Sequence, residues 1–244
     1  SLVGSSSTPP YNSSITLVPT FSGGSAVIGS SGPGSSNISA SAVRGSSYST
    51  SAITSTTTYT LTVTGTGGTT ATTTFTATPT PVTISPITPV AQTIAPGSQS
   101  FSATASGGAT NSLTWTATAG TINSSGQWTS PNGAGTYTIT AASVDEPSVS
   151  VQTTITVSAP VIATQPASLN VCAGASATLS VTANYASSYQ WELNGIPIAG
   201  AVYSSYFIAS AASTDAGNYT VTVTNPAGSV TSGAATVVVG ASIT

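Results

Sequence analysis

An all-β fold of three tandem β-sandwich domains is predicted by three features of this sequence. Its residue pool favours strands over helices and over disorder. One short strand pattern recurs three times at nearly constant spacing. Proline-bearing stretches close the first two of these recurring units.

Of the 244 residues, 39% are hydrophobic but only 2% are charged, against roughly 25% in an ordinary soluble protein. The charges are Arg44, Asp145, Glu146, Glu192 and Asp215, and there is no Lys and no His. Ser and Thr together make up more than a third of the chain. Disorder pairs low hydrophobicity with high charge, and this sequence has neither. Thr, Val, Ile and Tyr suit pleated, half-buried strands. A formal charge of −3 leaves no field to steer nucleic acid or an anionic membrane, so neither is expected as a partner. Low charge instead favours association. It suits a protein that assembles, an acidic habitat or a glycosylated surface alike. No apolar run approaches the roughly 20 residues of a membrane span. With no targeting segment recognisable, the chain reads as a mature product or an excerpt. The single Cys172 excludes an intrachain disulfide.

The recurring pattern is Tyr-Thr-aliphatic-Thr, at Tyr59 to Thr62, Tyr137 to Thr140 and Tyr219 to Thr222. The copies lie about 78 and about 82 residues apart, one small domain per repeat rather than a solenoid period. A turn and a second alternating strand follow each copy: Gly65 to Gly68 then "TATTTFTATP", Val144 to Pro147 then "VSVQTTITVS", Pro226 to Gly228 then "VTSGAATVVV". Proline ends sheets because it cannot donate to a ladder, so "TPTPVT" and "SAPVIA" mark the boundaries. The expected domains are 1–80, 81–159 and 160–244. Linkers this short and Pro-bearing imply an extended, semi-rigid rod.

The third domain carries the clearest signature. "PVIATQPASLNV" supplies two opening strands, "SATLSVTA" the next, and "SSYQWELNG" a strand with Trp191 and an Asn194-Gly195 hairpin turn. "SSYFIAS" and "DAGNYTVTVTNPAG" follow. An inward aliphatic, a Trp and then Asp-x-Gly-x-Tyr-x-aliphatic resemble the immunoglobulin superfamily in its cysteine-less bacterial form. The resemblance implies that Tyr219 makes a tyrosine corner to upstream backbone. It also implies that Trp191 packs between the sheets against Val181 and Val221, which stand at the disulfide positions. The second domain, through "LTWTATAGTINSSGQWTSPNGAGTYTITAAS", resembles the bacterial immunoglobulin-like modules of surface proteins. Trp115, Ile122, Trp128 and Tyr137 are its expected core. In the first domain "SSITLVPTFSGG" and "TSTTTYTLTVTG" read as strands, with Tyr59 in the core. The interval from Gly23 to Ser47 is rich in Gly and Ser and has no Trp, with partial disorder the alternative to an ordered part of this sandwich.

Chemistry has little material. Without His or Lys the usual general base, Schiff-base amine and zinc ligand are missing, so no enzyme activity, cofactor or metal is expected. Asp145 and Glu146 read as a solvated acidic turn, with a calcium site the alternative. Cys172 reads as a partly buried core filler, with an intermolecular bridge or reactive thiol the alternative. Asn12, Asn37, Asn123 and Asn218 head Asn-x-Ser/Thr triplets and are candidate glycan acceptors. Tyr185, Tyr189, Tyr203 and Tyr206 cluster in the third domain. They read as core and hairpin residues, with a carbohydrate-binding face the alternative.

The two ends align with an internal junction. Setting Val239 on Val157 puts Ile243 beside Val161, and setting Leu17 on Leu179 puts Ser1 beside Ala163. The first domain is then short of the equivalents of Val161 and Ile162, while the C-terminal tail carries a similar piece. Joining end to start keeps a repeat step of about 84 residues. Either the chain is an excerpt of a longer array, or copies stack head to tail with the tail completing the next copy's first sandwich. In the second case Leu2, Val3, Ala241 and Ile243 are the expected subunit contacts. The expected function is thus a structural subunit of an extracellular bacterial filament or surface fibre, with a homo-oligomer as partner. The alternative is an adhesin stalk or a carbohydrate-binding accessory segment of a larger cell-surface protein.

Overall fold

Threonine alternating with aliphatic or aromatic residues gives a strand with one wet face and one apolar face. The three tyrosine repeats fold in this way. In the computed structural model, which describes residues 1–33 and 40–241, they form Thr57–Thr64, Gly135–Ser143 and Gly217–Asn225. Tyr59 and Leu61 are buried on the first, Ile139 and Ala141 on the second, and Tyr219, Val221 and Val223 on the third. Among the described residues there is no α-helix, only the 3-10 turn Ser213–Asp215. No helix is long and apolar enough to cross a membrane.

The described chain groups into two compact units: residues 1–88 with 102–116 and 140–152, and residues 89–101 with 117–139 and 153–244. In the first unit, the sheet Leu2–Gly4, Thr16–Pro19, Tyr48–Ser49 packs on a four-stranded sheet of Ala40–Ser41, Ser25–Ser31, Thr57–Thr64 and Thr70–Ala77. Leu2, Leu17, Ile28, Tyr59 and Leu61 form the core between them. The Gly- and Ser-rich interval, for which partial disorder was the alternative, contributes a full strand: Ser25–Ser31 pairs residue for residue with Thr58 to Thr64. Its inward Ala26 and Ile28 are few but placed at the right period. Gly24 turns the chain into this strand at φ +78, and a Cβ there would meet Thr64 O at 2.3 Å.

In the second unit, Trp128 is fully buried and its Nε1 donates to Ala119 O at 2.8 Å. Tyr137 is half-buried, its ring centre 5.9 Å from Trp128. A five-strand path follows, Leu169–Cys172, Ala235–Gly240, Gly217–Asn225, Ser188–Leu193 and Ile196–Pro197, with Gly228–Thr231 also paired to Gly217–Asn225. Ala177–Ser180 pairs with Ser205–Ile208. Trp191 sits directly opposite Val221, and with Val181 both belong to one buried cluster. The Trp191 Nε1 donates to Tyr203 O at 2.9 Å. Asn194 and Gly195 both take positive φ, 53° and 80°, which a two-residue hairpin turn requires. The Tyr219 hydroxyl donates to Asp215 O at 2.9 Å, and Asp215 Oδ2 accepts from Ala212 N at 2.8 Å. These two bonds lock the corner that delivers Gly217–Asn225 into the sheet.

Tyr219→Phe keeps the ring and removes one buried bond, so urea unfolding should show a loss of about 1 kcal/mol. Burial, then the nearby Tyr206 and Asp215, push the Tyr219 phenol up to about 12 from 10.0. The unfolded chain therefore releases this proton first, and the stabilisation present below pH 10 declines as pH rises toward 12. The Phe variant should lose that part of the alkaline decline.

Candidate functional site

The residues with chemical character do not converge. Asp145 is buried rather than solvated. Its Oδ2 accepts from Thr110 N at 3.1 Å, Thr110 Oγ1 at 3.0 Å and Asn111 N at 3.0 Å. A Cβ on Gly108 would meet that oxygen at 2.2 Å. Asp145 is therefore a clamp on the 108–111 loop, which corrects the expectation of a solvated turn. Among the described residues no three His, Cys, Asp or Glu side chains group as a metal site would need.

Cys172 is exposed, not a partly buried filler. Alternation along Leu169–Cys172 turns Leu169 and Val171 toward the core and Asn170 and Cys172 outward. Asn12, Asn123 and Asn218 are exposed, while Asn37 lies outside the described residues. Asn12 adopts φ 63°. Asn123 Oδ1 accepts from Gln127 N at 2.9 Å and Asn218 Oδ1 from Thr236 Oγ1 at 2.9 Å. Trp115 is half-buried. Tyr185 and Tyr189 are half-buried as well. Tyr206 stacks inward between Trp191 and Tyr219. Tyr203 is 71% exposed and stands near Phe207, 62% exposed, beside a hollow of about 400 Å³. Phe207 was legible only through its phase: its neighbours Tyr206 and Ile208 turn inward, so Phe207 turns out.

A better-formed feature lies on the first sandwich, in its first unit. Leu2 pairs with Pro19, Val3 with Val18 and Gly4 with Leu17, and Ser1 exchanges two backbone bonds with Thr20, of 2.6 and 2.7 Å. Leu2 is buried and Val3 exposed. None of the described strands pairs with the next two residues, Phe21 and Ser22. Across from them the upper part of Thr70–Ala77 is also an edge, covered lower down where Thr78 and Thr80 donate to Ser7 O and Pro9 O. Between the two edges run adjoining hollows of about 390 and 380 Å³ that share Ser22, Val63 and Ala71. Phe21 and Leu61 line the first of them. No charged side chain lines either one.

The corresponding position is filled elsewhere in the chain. Ile162 lies opposite Ala183 and Val161 opposite Asn184, and Ile162 packs on the core below. Ile84 lies opposite Ala105 and Thr83 opposite Ser106, with Val82 buried. By the alignment of Leu17 on Leu179, Phe21 and Ser22 stand where Ala183 and Asn184 do. The first sandwich thus has, at Phe21, the strand site that the chain's later segments occupy with Thr83–Ile84 and Val161–Thr164. Ala241 follows the last strand, and Ile243 lies outside the described residues.

Residues 159–225 match the family model described as Immunoglobulin domain. No curated protein matches the chain significantly. Among solved structures, the I9-I11 tandem from titin is similar over 99% of this chain and 100% of its own, with a TM-score of 0.54 and 16% identity. Sidekick-1 immunoglobulin domains 1-5 align with 99% of this chain at a TM-score of 0.44 and 16% identity, and the chain spans 59% of that structure. The fold is an all-β tandem of immunoglobulin-like sandwiches.

Asp145→Ala would leave three donors near Thr110 and Asn111 without their acceptor, so thermal or urea unfolding should show a loss of about 2–3 kcal/mol. A chelator should leave the midpoint of the parent protein unchanged.

Proposed function

We propose that this tandem immunoglobulin-like chain is a structural subunit of an extracellular bacterial filament or surface fibre, assembling head to tail through β-strand edge contacts. The observation that carries the reading is the outer edge of Thr70–Ala77, which at Thr70 to Thr73 pairs with none of the described strands and borders an uncharged groove of Ser, Thr, Phe21, Leu61 and Val63. Exposed edges are normally blunted by charge, proline or a bulge, and no charged side chain lies here. With a formal charge of −3 on 244 residues, little repulsion opposes close approach of copies. Outward faces are held by paired hydroxyls: Thr58 with Thr76 at 3.1 Å, Thr136 with Thr156 at 3.0 Å, Thr222 with Thr231 at 3.0 Å. Such a surface suits a durable external scaffold more than a catalyst or a charged-ligand receptor. A second reading, an adhesin stalk or carbohydrate-binding segment, draws on the exposed Tyr203 and Phe207.

Electron microscopy of purified chain should show regular polymers without added ligand. Because the contacts carry no ion pairs, polymer mass should change little between low and high salt. A protein that stays monomeric at every concentration, or that retains glycans on an array through Tyr203, would favour the second reading.

A further inference from the structure

The hollow beside Tyr203 and Phe207 lies between the 199–203 loop and the strand Ser205–Ile208 of the third sandwich. Its loop is fixed to the core. Ile198 N donates to Trp191 O at 2.9 Å, Trp191 N to Ala201 O at 3.0 Å, and Trp191 Nε1 to Tyr203 O at 2.9 Å. Trp191 is itself fully buried. The backbone that presents the exposed Tyr203 ring is thus held in place before any ligand arrives, which lowers the ordering cost of binding. Tyr206, stacked between Trp191 and Tyr219, forms the back of the hollow.

The strand adds unpaired polar groups. Ser205–Ile208 pairs only with Ala177–Ser180 among the described strands. Val181 N donates to Ser204 O at 2.9 Å. Bonded and non-bonded pairs alternate along an antiparallel ladder, so Tyr206 and Ile208 bond inward, while Ser205 and Phe207 turn their N–H and C=O to the outer edge. No residue of Ala177–Ser180 lines the hollow, which places it on that outer side. The Tyr203 and Ser205 hydroxyls likewise have no protein partner among the described residues.

We propose that this hollow binds a neutral glycan. A sugar ring lies against Tyr203 and Phe207, and its hydroxyls bond the Tyr203 and Ser205 side chains and the main chain at Ser205 and Phe207. Exposed aromatic faces suit the apolar C–H side of a pyranose, and unpaired donors and acceptors suit its hydroxyls. No charged side chain lines the hollow, so an anionic or cationic ligand would lose its hydration without gaining a counter-ion. A purely apolar ligand would cover the main-chain groups at Ser205 and Phe207 and leave them unpaired. An extended peptide grips an edge by a row of main-chain bonds, but on this strand Ser205 and Phe207 alone face outward. The volume of about 400 Å³ lies within the range of small-ligand pockets, about 300–1,000 Å³. This names the site for the carbohydrate-binding reading and rests on it; the filament reading does not depend on it.

An array of neutral and anionic oligosaccharides, followed by calorimetric titration of those retained, tests the site. The parent chain should retain neutral glycans in preference to anionic ones. Tyr203→Ala and Phe207→Ala should each weaken binding by about tenfold to a hundredfold, the loss expected when one buried aromatic face is removed. Tyr203→Phe keeps the ring and loses one hydroxyl, so it should weaken binding by about threefold to tenfold. Both side chains are exposed and the Trp191 bond reaches the backbone of Tyr203, so urea midpoints should match the parent. Neutral glycans bound equally well by both alanine variants would overturn this site and leave the carbohydrate-binding reading standing. A preference for anionic glycans would overturn the neutral assignment. A parent that retains no glycan would overturn the site and the carbohydrate-binding reading together, and binding of an uncharged extended peptide in its place would assign the edge to strand addition.

Discussion

An open strand edge is a template for another chain to pair with, and this chain has few means other than further strands of covering one. Five charged side chains cannot line every sheet margin as Lys and Glu do in most sandwiches. The edges are therefore closed by strands. Leu169–Cys172 runs parallel to Ala235–Gly240, Gln92–Ile94 runs parallel to Ser150–Val157, and Val161–Thr164 covers Thr182–Asn184. The joint before the third sandwich is fastened by one amide. Asn225, buried in the turn that ends its strand, donates to Ser158 O at 2.9 Å and Tyr185 O at 2.7 Å. Where no described strand closes the edge, at Phe21, the fold leaves a groove instead.

The absence of a disulfide places a similar demand on packing. A native disulfide in a small secreted domain contributes about 2–5 kcal/mol. Here Val181 and Val221 take that position with Trp191 between the sheets. Burying a Val contributes about 1.5–3 kcal/mol, so two valines and an indole are of comparable size to the bond they replace. The difference is that a packing contact is lost when the sheets part, whereas a covalent bond is not. Local bonds that resist parting then matter more, which gives weight to the Tyr219 corner and the hydroxyl pairs across neighbouring strands, each of the latter contributing about 0.2–1 kcal/mol.

What could be read from the sequence was whatever depends on period. Tyr59, Tyr137 and Tyr219 lie on alternating strands because a two-residue repeat leaves one face to choose, and apolar side chains choose it. The corner at Asp215 and the turn at Asn194-Gly195 were legible because their conformations demand particular residues. What depends on register was not legible. Cys172 looks like a filler until the pairing with Gly240 fixes its phase, one step out from Val171. Asp145 looks like a surface charge until the 108–111 loop folds over it. Ser25–Ser31 is hidden by composition, since only Ala26 and Ile28 face the core. The groove at Phe21 was visible in the sequence only as a shortfall in an alignment; its depth comes from Leu61 and Val63 lying under it.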